Sequence, residues 1–420
     1  MIRVVLLLLG LPLVAGLAFL AYALSPPAME PVSPPARASL SDLAIERGSR
    51  LALIGNCQVC HTAKDGPSYA GGYGVETPFG TIFGTNITPD PETGIGTWSL
   101  DAFSRAMREG IGAVGEHLYP AFPYDHFTKL SDGDIAALYA FLMAGEPVSR
   151  TVPENDLPFP LRFRPLLAGW KLLGFSQGRF EPDPTVDPVL DYGRYLVEGA
   201  GHCGACHTPR NWIQAEKGGQ ALEGGASGGW TAPAIAGPID VTLPWTQDAL
   251  ETYLRGDYSR DHGATGGPMQ PVGHNLARTP AEDVEAISAY LLSVMDQTTR
   301  PPLDPARVEA AEALPGAALF AGACASCHGG SAPGGSQGLP LEKSDTVHAA
   351  TARNLVNFIL QGRQPGPGEP GSAMPGFATL LTRAQIVDVA AYVRARYSNE
   401  PPFAKLAETV DERADAADSP

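Results

Sequence analysis

Cys57-Gln-Val-Cys60-His61, Cys203-Gly-Ala-Cys206-His207 and Cys324-Ala-Ser-Cys327-His328 together hold all six cysteines of a 420-residue chain. On a helix, positions i, i+3 and i+4 share one face, so each motif presents two thiols and an imidazole to one flat ring. This spacing is the attachment signature of c-type haem. With six cysteines and nine histidines available, chance supplies about 0.002 such motifs. Three motifs that consume every cysteine predict three covalent haems. Cys57, Cys60, Cys203, Cys206, Cys324 and Cys327 are the expected thioether donors, and His61, His207 and His328 the expected iron ligands. A zinc tetrahedron fits less well, because its ligand pairs must close on one ion and these pairs lie 146 and 121 residues apart. A redox dithiol has no need of the adjoining histidine.

The sixth iron position decides what each haem does, and a methionine thioether there raises the potential and suits electron transfer. Met374, in Gly371-Ser-Ala-Met374-Pro375-Gly-Phe, and Met269, in Gly266-Gly-Pro-Met269, are the expected sixth ligands of the third and second motifs. Both are read as loop residues beside glycine and proline. The first motif breaks this pattern. Its matching loop, Tyr119-Pro-Ala-Phe122-Pro-Tyr, has phenylalanine at the methionine position. Met107, His117, His126 or no protein ligand remain open there.

The organisation around the motifs is a triplicate. Helical periodicity at Leu43–Ile54, Leu190–Val197 and Ala317–Ala321 leads into the three motifs. Glycine-rich loops follow at 66–84 and 218–237. Further helices are expected at Leu100–Glu109, Gln247–Arg255 and Asn354–Leu360, and closing helices at Asp132–Met143, Ala281–Met295 and Arg383–Tyr397. The predicted fold class is all-α, three tandem cytochrome c-like domains after an N-terminal transmembrane helix. The expected bounds are 41–146, 189–297 and 311–398. Linkers cover 25–40, 147–188 and 298–310, and an acidic solvated tail covers 399–420. Within the second linker, Leu161–Phe175 reads as an apolar helix with interspersed basic residues, packed between domains or lying on a membrane surface.

Arg3 precedes an uncharged, mostly apolar run, Val4–Leu24, about the 20 residues that a bilayer core requires. Its flanking charge predicts an anchor with the rest of the chain outside. Ala21-Tyr22-Ala23 permits the rival reading of a cleaved signal. Either reading exports the chain, which in bacteria suits covalent haem. The expected location is the bacterial inner membrane with the haem domains facing the periplasm. The formal charge of −16 argues against nucleic acid as a partner and suits a basic docking surface. No nucleotide-binding glycine signature follows a strand, and no cysteines are left for an iron–sulfur cluster. Substrate chemistry is expected in another subunit.

At Thr85-Asn-Ile-Thr-Pro-Asp90, His117-Leu-Tyr-Pro-Ala-Phe-Pro-Tyr, Cys203-Gly-Ala-Cys-His-Thr-Pro-Arg-Asn211 and Met374-Pro-Gly-Phe, the chain resembles the triheme cytochrome c subunits of bacterial membrane-bound dehydrogenases. The likeness runs from about residue 41 to 398. It is nearest to the branch serving molybdopterin hydroxylases such as nicotinate and isoquinoline dehydrogenase, on the Phe-Pro form of the 119–124 loop and the 365–371 Pro/Gly segment. Alcohol and gluconate dehydrogenase cytochrome subunits are related. They often have methionine at the Phe122 position, so that ligand does not carry over. The resemblance implies a catalytic dehydrogenase partner and an electron route to ubiquinone or a terminal oxidase. Two other readings stay open, a terminal-oxidase subunit and a first haem whose open iron is catalytic or sensory.

Overall fold

The computed structural model describes residues 14, 16–259, 261–329, 338–365 and 373–418. It divides into two compact units, Met1–Ala205 with Arg210–Gly218, and Cys206–Pro209 with Gly219–Pro420.

In the first unit, α1 (Asp42–Ile54) buries Gly48, Leu51, Ala52 and Ile54, the stripe expected from its apolar spacing. Ser99 caps α2 (Leu100–Glu109), accepting from the Ala102 amide, and Gly110 ends it in the left-handed region. Ser131 caps α3 (Asp132–Met143) in the same manner. α1 packs on α3, and a methyl at Gly48 would collide with the Ala137 carbonyl and with Phe141. Beside this crossing, Arg47 donates to Asp134 at 2.8 and 3.0 Å, and the Tyr195 hydroxyl donates to the same carboxylate at 2.6 Å.

The expected second linker is tied down along its length within this unit. Asp156 exchanges backbone bonds with Thr81 at 3.0 and 2.9 Å. The apolar helix falls at α4 (Leu166–Gly174). Its Trp170 indole donates to the Ile213 carbonyl at 2.8 Å, and Lys171 donates to the Glu109 and Gly110 carbonyls, both at 2.6 Å. Those carbonyls end α2, where a cation meets the negative end of the helix. α5 (Pro188–Tyr195) then runs into a π-turn at Leu196–Ala200, just before the second motif.

In the second unit come α6 (Gln247–Leu254), α7 (Met269–Leu276), α8 (Ala281–Val294), α9 (Pro305–Ala311), α10 (Gly316–Ala323), α11 (Arg353–Gln361), α12 (Arg383–Tyr397) and α13 (Leu406–Asp418). A core of Phe320, Val347, Val356, Ile386, Val389 and Val410 joins α10–α13. α12 opens on a capping box between Thr382 and Gln385. Gly316 meets α12 as Gly48 meets α3: a methyl there would strike the Asp388 carbonyl and Tyr392. The acidic segment expected to be solvated is the helix α13. Leu406, Val410 and Ala414, at i, i+4 and i+8, turn one face inward, with Val410 fully buried. Its acids pair outward, Glu412 with Arg353 at 2.9 Å and Asp415 with Arg383 at 2.6 Å.

Two parts of the expected fold class are corrected. The chain is not all-α: among the described residues there are three two-stranded sheets. β1 (Gly74–Thr77) and β2 (Gly80–Phe83) form an antiparallel hairpin, as do β3 (Gly225–Ser227) and β4 (Trp230–Ala232), while β5 (Gly237–Val241) and β6 (Met295–Thr299) run parallel. The glycine-rich loops supply the turns. Gly228 and Gly229, at φ +53° and +76°, give the paired positive angles that a tight two-residue hairpin turn requires. β6 follows α8 directly, so the closing helix expected to reach Met295 stops one residue earlier.

The expected N-terminal transmembrane helix is the second correction. Residues 1–13 and 15 lie outside the described residues, and among those described no helix is long and apolar enough to cross a membrane. Of the helical residues 16–23, Ala23 is buried, while Leu17 and Tyr22 are exposed. The Ala23 carbonyl accepts from His117 Nε2 at 3.0 Å, and Phe19 lies over Gly169 of α4. Residues 366–372, most of the 365–371 Pro/Gly segment and the residues two and three before Met374, also fall outside.

Candidate functional site

Each motif sits on a single helical turn: Cys57–Cys60 with His61 as its C-cap, Gly204–His207, and Ala325–His328. None of the six cysteines is in a disulfide. Burial, helped by the neighbouring Cys60 sulfur, pushes the Cys57 thiol up to about 12, and burial raises Cys324 as well. Such thiols are neutral at ordinary pH, unlike reactive thiolates.

The three histidines share one device. His61 Nδ1 lies 2.7 Å from the Thr85 carbonyl, His207 Nδ1 2.7 Å from the Pro233 carbonyl, and His328 Nδ1 3.0 Å from the Leu339 carbonyl. A carbonyl oxygen can only accept, so Nδ1 carries the proton and donates. In the neutral ring the lone pair is then on Nε2, the state and orientation of an axial iron ligand. Burial holds His61 and His207 below the ordinary imidazole value, which keeps them neutral; their carbonyl bonds act in the opposite direction. This repeated tautomer, beside two thiols on the same turn, fits covalent haem.

The hairpins explain how the carbonyls arrive. β1–β2 delivers Thr85 two residues after its last strand residue, and β4 delivers Pro233 one residue after its end. Gly84, just after β2, and Gly225, the first residue of β3, lie directly against the Cys60 and Cys206 carbonyls, so each hairpin abuts its motif. Within the second unit, the β3–β4 turn also reaches the Met269 segment: a methyl at Gly228 would be 3.6 Å from Pro268, and one at Gly267 would enter the Trp230 ring.

Met269 is not in a loop. It is the first residue of α7, which tolerates Pro271 because first-turn amides have no helical acceptor. Met374 is outside any helix, part-buried, and exchanges backbone bonds with Arg363 at 2.8 and 2.9 Å. In the first unit Met107 is buried in α2, and Phe122 packs against Phe127 at 5.4 Å. Both nitrogens of His117 are engaged, Nε2 with Ala23 and Nδ1 as acceptor from Lys171 at 3.1 Å. So are both nitrogens of His126. Nδ1 donates to the Glu198 carbonyl at 2.8 Å and Nε2 to the Glu216 carboxylate at 2.9 Å.

Two features of the first unit have no counterpart in the sequence reading. Asp125, His126 and Glu216 present ligand atoms within 4.8 Å of one another. Arg210 lies 3.8 Å from Glu216, so the group is a neutralised ion network. Burial opposes a charged His126, but Glu216 outweighs it and raises its pKa, while Glu216 itself is lowered by the same pairing. The second feature is His202, whose Nε2 donates to the Gly55 carbonyl at 3.0 Å. A histidine immediately before a motif cysteine was the only signal for it in the sequence.

Comparison with known proteins agrees with this chemistry. The family described as Cytochrome c matches residues 45–146 and 191–295, and that described as Cytochrome C oxidase, cbb3-type, subunit III matches 311–393. A nicotinate dehydrogenase subunit of Pseudomonas putida is 44% identical over 379 residues; the match takes in 89% of this chain but only 32% of that protein. The chain thus spans about a third of that relative's length. The gluconate 2-dehydrogenase cytochrome c subunit of Pantoea cypripedii is 38% identical, covering 86% of this chain and 87% of that one. The alcohol dehydrogenase (quinone) cytochrome c subunit of Gluconacetobacter polyoxogenes is 36% identical, covering 85% and 81%.

Proposed function

Because the chain belongs to the cytochrome c subunits of dehydrogenase complexes, we propose that it carries three haems, one on each Cys-x-x-Cys-His motif, and relays electrons from a catalytic dehydrogenase subunit. That it is an electron-transfer protein with covalent haem c follows from the family. The observation that carries the number three is the histidine Nδ1–carbonyl bond, made in the same way at His61, His207 and His328. Bound haem supplies the one-electron iron couple. The protein's own residues fix the ring of each axial histidine, keep its Nε2 unprotonated, and offer thiols on the same turn.

Met269 and Met374 are the proposed sixth ligands of the second and third haems. In the first, the engaged nitrogens of His117 and His126 favour Met107. The partner is a molybdopterin hydroxylase, a reading supported by the 44% identity to the nicotinate dehydrogenase subunit. Electrons leave to ubiquinone or a terminal oxidase on the periplasmic side of the bacterial inner membrane. Membership of an oxidase instead is supported by the match at 311–393 and by a likeness over 126 residues to a cbb3-type oxidase subunit. The mass of the denatured protein tests the haem count: three porphyrin additions are expected, and fewer would refute it. Affinity capture of the native complex identifies the partner, and recovery of oxidase subunits in place of a dehydrogenase would overturn that assignment.

A further inference from the structure

Resting on that haem reading, we propose that His202 is a positioning residue that clamps the first and second attachment segments together, so that their haems exchange electrons as a directly coupled pair. The two motifs are entered alike, through Gly55-Asn56-Cys57 and Gly201-His202-Cys203. Asn56 and His202 both stand in the left-handed region, at φ +50° and +38°, where a side chain is unfavourable and Asn and His are among those that tolerate it. Surrounding contacts must hold such a conformation in place.

The contact at His202 is long-range in sequence. Its Nε2–H donates to the Gly55 carbonyl at 3.0 Å, across 147 residues. The acceptor lies two residues before Cys57 and the donor one residue before Cys203. The junction is tight on both sides. A methyl at Gly55 would lie 3.1 Å from the Ala200 carbonyl and 3.4 Å from the Cys57 sulfur, and one at Gly201 3.5 Å from the Cys203 sulfur and 3.7 Å from Ile54 Cγ2. Both sulfurs therefore flank one interface. The imidazole is itself held edge-on by the Phe127 ring, with centroids 5.5 Å apart at 80°. Burial lowers its pKa and keeps it neutral, so Nε2–H is its only ring proton, and it is spent on Gly55.

The third motif has no such entry. Cys324 follows α10 directly, at φ −118°. The clamp therefore distinguishes the first two sites from the third. The step it serves is a one-electron exchange: one iron goes from ferrous to ferric as the other goes from ferric to ferrous, and no bond or proton moves. Electron tunnelling falls steeply with separation, so a rigid junction between the two attachment points matters most to this step.

The test compares the intact wild-type protein with His202→Ala and His202→Gln, whose amide can still donate. Electron paramagnetic resonance of the ferric protein reads spin coupling between haems, fast photoreduction reads electron exchange between them, and mass reads attachment. Wild type and His202→Gln are expected to show a spin-coupled pair. His202→Ala should keep every porphyrin addition but lose the coupling and slow the exchange. Magnetically isolated haems in the wild type, loss of coupling in a fully loaded His202→Gln, or unchanged coupling in His202→Ala would each overturn the clamp. If His202→Ala does not fold, the wild type and His202→Gln decide by the same criteria. Wild-type mass without porphyrin would instead refute the haem reading on which the clamp rests.

Discussion

As the proposed sixth ligand of the third haem, the Met374 sulfur would let one atom set the reduction potential of a site. Thioether ligation favours the reduced iron, so Met374→Ala should lower the midpoint potential of one haem and leave every attachment in place. Superimposable redox titrations of variant and wild type would strike Met374 from the ligands. In the first unit, neither His117 nor His126 has a nitrogen to spare. Met107→Ala should therefore open that iron, and the reduced variant should gain a carbon monoxide difference spectrum that the wild type lacks. A wild type that already binds carbon monoxide would mean that this iron has no protein ligand. The candidate thiols and histidines stand out in the sequence because haem attachment demands those residue types at that spacing. The orienting groups of Thr85, Pro233 and Leu339 were not, since they are main-chain oxygens that any residue supplies. His202 was hidden because its partner is 147 positions away in the chain.

Element packing concentrates on two glycines. Gly48→Ala and Gly316→Ala each force a methyl into the carbonyl of a facing helix, and overpacking of this kind costs roughly 1–3 kcal/mol. Urea unfolding of the haem-loaded variants should show the loss, and midpoints matching the wild type would mean the helices separate without cost. The ion pair between the 124–127 helical turn and the 210–218 loop has its own signature. Glu216 raises the His126 pKa above the ordinary 6.5, so the pair's contribution is fully present below that value and is lost as pH rises through the raised one. Wild-type stability should fall over that window, and Glu216→Gln should flatten the slope. The variant should also cost about 3 kcal/mol below it, because a buried imidazolium loses its counter-charge. Equal slopes in the two proteins would remove His126 as the titrating group. At this scale the long helices were readable from their apolar period. The hairpins were not, because strands of three or four residues embedded in glycine carry no alternation long enough to detect. α13 was misread because its acidic composition masks Leu406, Val410 and Ala414 on one face.

For the whole molecule, the sequence repeat implies that the attachments are chemically independent. Cys324→Ala should remove one porphyrin addition and leave those at Cys57/Cys60 and Cys203/Cys206, as intact mass will show. Loss of all three would mean that the sites mature together. The N-terminal segment is the lesson at this scale. Its hydropathy alone read as a membrane span, whereas among its described residues the Ala23 carbonyl accepts from His117 and Phe19 lies against α4.

The carbonyl locks on His61, His207 and His328 also bear on how these sites tolerate mutation. The orienting oxygen belongs to threonine in one, proline in the next and leucine in the last, so a point substitution at any of these positions leaves the donor–acceptor pair intact. Heritable damage to ring alignment would have to arrive through a backbone displacement, such as a deletion within a hairpin, and a screen confined to side-chain replacements at Thr85, Pro233 and Leu339 would pass over it.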